Sequence, residues 1–208
     1  MEEAPHAHGH APHGTGFRWL DMGLALSAFI VSLSSLWLTV HNAHTMERLV
    51  TANSYPNIDV NYGNQFDFQD GRGARPALYL SLNNSGVGPA RLRSVELSFG
   101  GKSAASLHEV LDLCCTQEPA AALPKTDYWS SGDMSGWMVQ AGKEVNLFAW
   151  AQAPGDPRWA RANEVRDKIG VRVCYCSVFE ECYVRASERR EPVRVNACPL
   201  PAVPYRGD

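Results

Sequence analysis

The residues with the most chemistry in this chain are six cysteines: an adjacent pair, Cys114 and Cys115, an alternate pair, Cys174 and Cys176, then Cys182 and Cys198. Thiols so grouped either hold a metal or pair as disulfides. Structural zinc takes paired C-x₂₋₄-C spacing, whereas here the spacings are CC, CxC and an isolated Cys, with only His108 nearby. An even number of cysteines, all in the second half of the chain, predicts disulfides in an oxidising compartment. In VRVCYCSVFEECYVR, strand alternation sends Val171, Val173 and Tyr175 to one face and Cys174 and Cys176 to the other. A loop at Ser177–Glu181 then sets Cys176 opposite Cys182, Tyr175 opposite Tyr183 and Cys174 opposite Val184. That register predicts a Cys176–Cys182 disulfide on one face of a hairpin and a tyrosine pair on the other. So small a loop contributes roughly 2 kcal/mol through chain entropy, so the bridge pins register more than it adds stability. Bridging neighbours requires a strained ring, so Cys114 and Cys115 are expected to pair with Cys174 and Cys198, in either order.

Other reactive groups are less organised. His6, His8, His10 and His13 offer neutral imidazoles for Zn²⁺, Ni²⁺ or Cu²⁺, at the cost of ordering a Gly/Pro-rich peptide. Asp67 and Asp70 in NQFDFQDGRG lack the terminal bidentate Glu of a calcium loop and read as a solvated turn. His108 and Cys114 are six residues apart, on different faces of a helix, so they do not form a catalytic pair. GxSxG, HExxH, Walker and GxGxxG patterns are missing. The expectation is a protein that is not an enzyme and needs no cofactor. Within DYWSSGDMSGWM, Tyr128, Trp129, Met134, Trp137 and Met138 sit among Ser, Gly and Asp. They either cover one end of a core or form an exposed loop that docks a protein partner, because Trp and Tyr anchor interfaces disproportionately.

The elements that carry these residues begin with a Gly, Pro, Ala and His-rich tail, residues 1–16, which has no apolar periodicity and is expected to be disordered. Met22–Val40 then runs 19 residues without a charge: 13 apolar, one Gly and five Ser/Thr. At about 1.5 Å per residue that helix covers roughly 28 Å, enough for a hydrocarbon core. Trp19 and Trp37 lie near its ends, as interfacial aromatics do. The run is too long, and ends in residues too bulky, for a cleaved signal peptide, which predicts an uncleaved anchor. Gly23-x-x-x-Ser27 and Ala28-x-x-x-Ser32 would let two copies of the helix approach closely, a route to a homo-oligomer. Helix-compatible residues continue to Ser54, where Tyr55-Pro56 ends them. The anchor and its extension thus occupy residues 17–54.

Beyond it, IDVNY, ALYLSLNN, ARLRSVELSF, KEVNLFAWA, GVRVCYCSV and CYVRA read as short strands separated by turns. Two helical insertions are expected, Ser103–Leu113 and Pro157–Ile169, the second opened by Asp156 and closed by Gly170. The fold class is mainly β: an immunoglobulin-like β-sandwich over residues 55–198, with residues 199–208 as a tail. The Cys…Trp…Cys spacing of an antibody domain is absent, so the expectation concerns architecture alone.

LVTANSYPNI just after the span, then NNSGVGPARL, then VCYCSVFEECYV, resembles uncharacterised single-pass inner-membrane proteins of proteobacteria with a periplasmic immunoglobulin-like domain. The resemblance covers most of the chain after Asp21 and implies envelope placement without implying an activity. Nineteen basic against 22 acidic residues, scattered to a net charge of −3, argue against a nucleic-acid partner. Arg18 and Arg48 balance across the span, so the cysteines set the expected orientation: N-terminus cytoplasmic, C-terminal domain periplasmic. The expected function is a membrane-anchored binding or scaffold module that sits in the lipid bilayer and meets an envelope or membrane protein. The alternative is an accessory or metal-handling subunit that uses the His-rich tail.

Overall fold

The uncharged run becomes one helix, α1 (Arg18–Ala52), of 35 residues, apolar and long enough to cross a membrane. At about 1.5 Å per residue it extends roughly 52 Å. Four hydroxyls of its apolar run bond within the helix: Ser27 donates to Leu24 O, Ser32 to Ala28 O, Ser34 to Ile30 O and Thr39 to Ser35 O. Such back-bonding lowers the cost of placing hydroxyls in hydrocarbon. The computed structural model describes residues 18–115, 128–152 and 155–207, and the chain divides into two units, Met1–Val50 and Thr51–Asp208.

The second unit is built on two antiparallel sheets. One runs in the order β1 (Ile58–Asp67), β2 (Ala74–Asn84), β7 (Glu144–Ala151), β5 (Tyr128–Ser130). The other runs β10 (Val193–Val195), β9 (Cys182–Ala186), β8 (Ile169–Cys176), β3 (Ala90–Phe99), β4 (Lys102–Ala104), with β6 (Met138–Val139) also paired to β3. All six expected strands are present, several of them longer than their apolar runs. The four added strands are two or three residues long, too short to carry a period.

Alternation fills one core from both sheets. Leu78, Leu80 and Leu82 of β2 join Phe148 and Trp150 of β7, and these meet Leu92 and Leu97 of β3. Val171, Val173 and Tyr175 of β8 complete the second wall. Tyr62 of β1 donates its hydroxyl to Ile169 O at 2.7 Å and so links the two sheets. Helix α2 (Leu107–Cys114) buries Leu107, Val110 and Leu111. It starts later than expected because Ser106, not Ser103, is the cap: Ser106 Oγ accepts from Glu109 N while the Glu109 carboxylate accepts from Ala105 N. Helix α3 (Pro157–Glu164) is capped by Asp156, which accepts from Arg158 N, and it buries Trp159 and Ala162. The turn Arg166–Lys168 is 3₁₀, so α-helix does not extend to Ile169.

The domain does not close at Cys198. Tyr205 is 1% exposed within the core, and its hydroxyl donates to Leu147 O at 2.6 Å. Its backbone N–H donates to Val95 O, and that of Arg206 to Ala105 O. Residues 199–207 therefore form a strap rather than a free tail. The proline-rich sequence PLPAVPYRG hides this, because nothing in it is periodic.

Candidate functional site

Three stretches distant in sequence converge where the chain enters the domain. Asn84 is fully buried with its amide fully engaged. Its Nδ2 donates to Gly88 O and Val139 O at 2.8 and 2.9 Å, and its Oδ1 accepts from Asn57 N and Gly86 N at 3.2 and 3.1 Å. Val87 N and Gly88 N in turn donate to Tyr55 O. A Cβ on Gly88 would lie 2.0 Å from Ser54 O, and one on Gly86 2.4 Å from Asn57 N, so close backbone approach dictates both glycines. The Tyr55 ring meets Tyr183 edge-on at 5.2 Å, and Tyr183 stacks on Tyr175 at 5.9 Å. Burial pushes the phenols of Tyr175 and Tyr55 above their ordinary range. Residues 54–58 and the stretches NNSGVGPARL and VCYCSVFEECYV thus build one interlocked corner.

The hairpin that closes this corner has the expected register: Cys176 opposite Cys182, Tyr175 opposite Tyr183 and Cys174 opposite Val184. The sulfurs of Cys176 and Cys182 lie at 2.10 Å, and those of Cys174 and Cys198 at 2.03 Å. Cys114 and Cys115 are bonded to each other, which corrects the expectation that they would seek Cys174 and Cys198. That expectation failed because the strand placed Cys174 beside the returning strap, leaving the two neighbours at the end of α2 without other sulfurs. All six cysteines are paired, so none offers the thiolate that zinc requires, and Cys114 offers none to His108. The tip of the hairpin, Val178 and Phe179, is exposed, and Glu180 holds a positive φ of 59°.

The aromatic segment Tyr128–Met138 is divided rather than presented as one surface. Met134 is 1% exposed and belongs to the core, so the structure removes it as a partner contact. Tyr128 is half-buried against the same core. Trp129, 43% exposed, lines a cleft with Phe66, Asp67, Phe68, Gln69 and Asn146. Trp137 and Met138, equally exposed, do not line it; they stand where β6 meets β3.

Sequence reasoning missed most of this cleft, whose volume is about 190 Å³. Across the sheet, Trp129 is opposite Ala149 and Ala149 opposite Tyr79, so a small residue separates two rings on the outward face. The Tyr79 ring covers Gly63, where any Cβ would collide with it, and meets Phe66 at 5.5 Å. Phe66 in turn meets Phe68 edge-on at 5.0 Å, and the Arg75 guanidinium lies 4.2 Å over the Phe68 ring. The phenylalanine spacing FxF and the lone Gly63 within a strand were the available signals.

The rim loop is a turn, as expected. Asp67 Oδ1 accepts from Gln69 N at 2.8 Å. Asp70 accepts from Arg72 and Arg75, and the Arg72 guanidinium holds its carboxyl well below the usual carboxylate range. A carboxylate so neutralised is a poor calcium ligand. His6, His8, His10 and His13 lie outside the described residues. No protein-family model matches this chain, and no curated protein or solved structure matches it.

Proposed function

We propose that this protein is a single-pass, membrane-anchored binding or scaffold module, without enzymatic activity, whose β domain presents an aromatic cleft to an envelope partner. In this reading α1 anchors the chain in the bacterial inner membrane with its N-terminus in the cytoplasm. The two sheets act as an immunoglobulin-like sandwich in the periplasm, where paired cysteines persist. The observation that carries the binding role is Trp129: a large ring left 43% exposed at a cleft it shares with the rings of Phe66 and Phe68. Rings held on strands, as Trp129 and Phe66 are, make anchors of low conformational cost.

A photo-crosslinking residue placed at Gln69, on the cleft rim beside Trp129, in the full chain in native membranes tests this. A protein adduct is expected at Gln69 and none at Arg172, an exposed position on the other sheet. No adduct at Gln69 with the protein inserted and intact would overturn the assignment of the cleft.

A further inference from the structure

Cys174 and Cys176 stand two residues apart on one face of β8, and each is bonded outward, to Cys198 at the base of the strap and to Cys182 of β9. Neither bond requires the two disulfides to touch, yet Cys176 Sγ lies 3.9 Å from Cys198 Sγ. The sulfurs of Cys176, Cys182 and Cys198 all lie within 4.8 Å of one another. Their access to solvent differs. Cys174 and Cys176 are 1% exposed and Cys182 is 7% exposed, whereas Cys198 is half-buried.

Exchange between disulfides needs a thiolate placed against a sulfur of a second disulfide, with that sulfur's partner as leaving group. We propose that Cys176, Cys182 and Cys198 form a thiol–disulfide exchange site whose substrate is a dithiol reductant and whose product carries the strap's crosslink on Cys176 instead of Cys174. The reductant's first thiolate attacks Cys182 Sγ, the bond to Cys176 breaks, and Cys176 leaves as a thiolate with the electron pair. The second thiol of the reductant resolves the mixed disulfide; the reductant departs oxidised as a disulfide, and Cys182 takes up a proton. Two electrons have then entered the protein. The Cys176 thiolate next attacks Cys198 Sγ, and the Cys198–Cys174 bond breaks. Cys174 leaves as a thiolate and is protonated. This second step exchanges one S–S bond for another without net oxidation or reduction.

The consequence is mechanical as well as chemical. The crosslink moves two residues along β8, about 7 Å, and it anchors the strap that carries Tyr205 into the core. Cys174 thereby becomes reducible without itself being reached by the reductant.

The full chain in detergent tests this through disulfide mapping, with free thiols trapped by acid and alkylated after denaturation. Cys182→Ser supplies the Cys176 thiol without any reductant. The expected result is a shift of alkylation from Cys176 onto Cys174, together with a Cys176–Cys198 linked peptide. Alkylation confined to Cys176, with Cys174–Cys198 intact after prolonged incubation at mildly alkaline pH, would overturn the proposal. Since that variant could fail to fold, the wild-type chain is also treated with limiting dithiothreitol. Thiols at Cys174 and Cys182 appearing together are expected. Thiols appearing only as Cys176 with Cys182, or only as Cys174 with Cys198, would overturn it.

Discussion

Replacing Asn84 by Ala removes the most densely bonded buried side chain at the entry corner. Two backbone donors, Asn57 N and Gly86 N, lose their acceptor, and two acceptors, Gly88 O and Val139 O, lose their donor. An average hydrogen bond contributes about 1 kcal/mol, and a buried group left unpaired costs about 1–3 kcal/mol. With water reaching the half-buried Asn57 and Gly86, the four losses come to about 4 kcal/mol, a large share of the roughly 5–15 kcal/mol available to a domain. Asn84→Asp separates the two halves of the network. It keeps an acceptor for Asn57 N and Gly86 N but turns a carboxylate oxygen toward two carbonyls, so it is expected to be at least as damaging as Ala. Urea unfolding of the full chain in detergent, followed by tryptophan fluorescence, measures both. A loss below about 1 kcal/mol for Asn84→Ala, or a near-wild-type Asn84→Asp, would refute the claim that this amide organises the corner.

Four further outcomes follow from the same geometry. Trp129→Ala should change stability by less than about 1 kcal/mol, whereas Met134→Ala should cost about 2–5 kcal/mol; comparing their unfolding midpoints checks the division of the aromatic segment. Tyr205→Ala should cost about 3–5 kcal/mol and Tyr205→Phe about 1 kcal/mol; if the strap is peripheral, both variants will unfold like the wild type. The Asp156 carboxyl is held below its ordinary range by its hydrogen bonds to the Arg158 guanidinium, so its contribution is present above the unfolded pKa, about 4, and lost as pH falls through the lower folded value. Asp156→Asn keeps the helix cap, so thermal scans between pH 6 and 2 should show a shallower acid decline than wild type; parallel declines would contradict it. Gly88→Ala should misplace the Ser54 backbone and lower the unfolding midpoint clearly more than Gly71→Ala, where a φ of 81° strains an Ala but no atom stands in its way.

Much of this molecule was legible in sequence where a period was long enough to read. The uncharged run Met22–Val40 announces α1, and the alternation through Val171, Val173 and Tyr175 sets the register of β8 against β9. The Cys114–Cys115 bond was not legible, because pairing depends on which sulfurs the folded chain brings near each other. Met134 and Tyr205 were misplaced for a related reason: each lies in a Gly-, Ser- or Pro-rich segment whose local pattern says loop, while tertiary packing draws one side chain inside. The cleft escaped because Ala149, Gly63 and Tyr79 cooperate across three strands, and only strand order reveals them as neighbours.

In the proposed placement a membrane helix holds this β domain on the oxidising side of the membrane. A reporter enzyme active only outside the cytoplasm, fused after Asp208, tests it directly when its activity is assayed in membranes washed with alkaline carbonate. An active fusion retained in the washed membranes is expected. An intact fusion that is inactive, or one released by the wash, would contradict it.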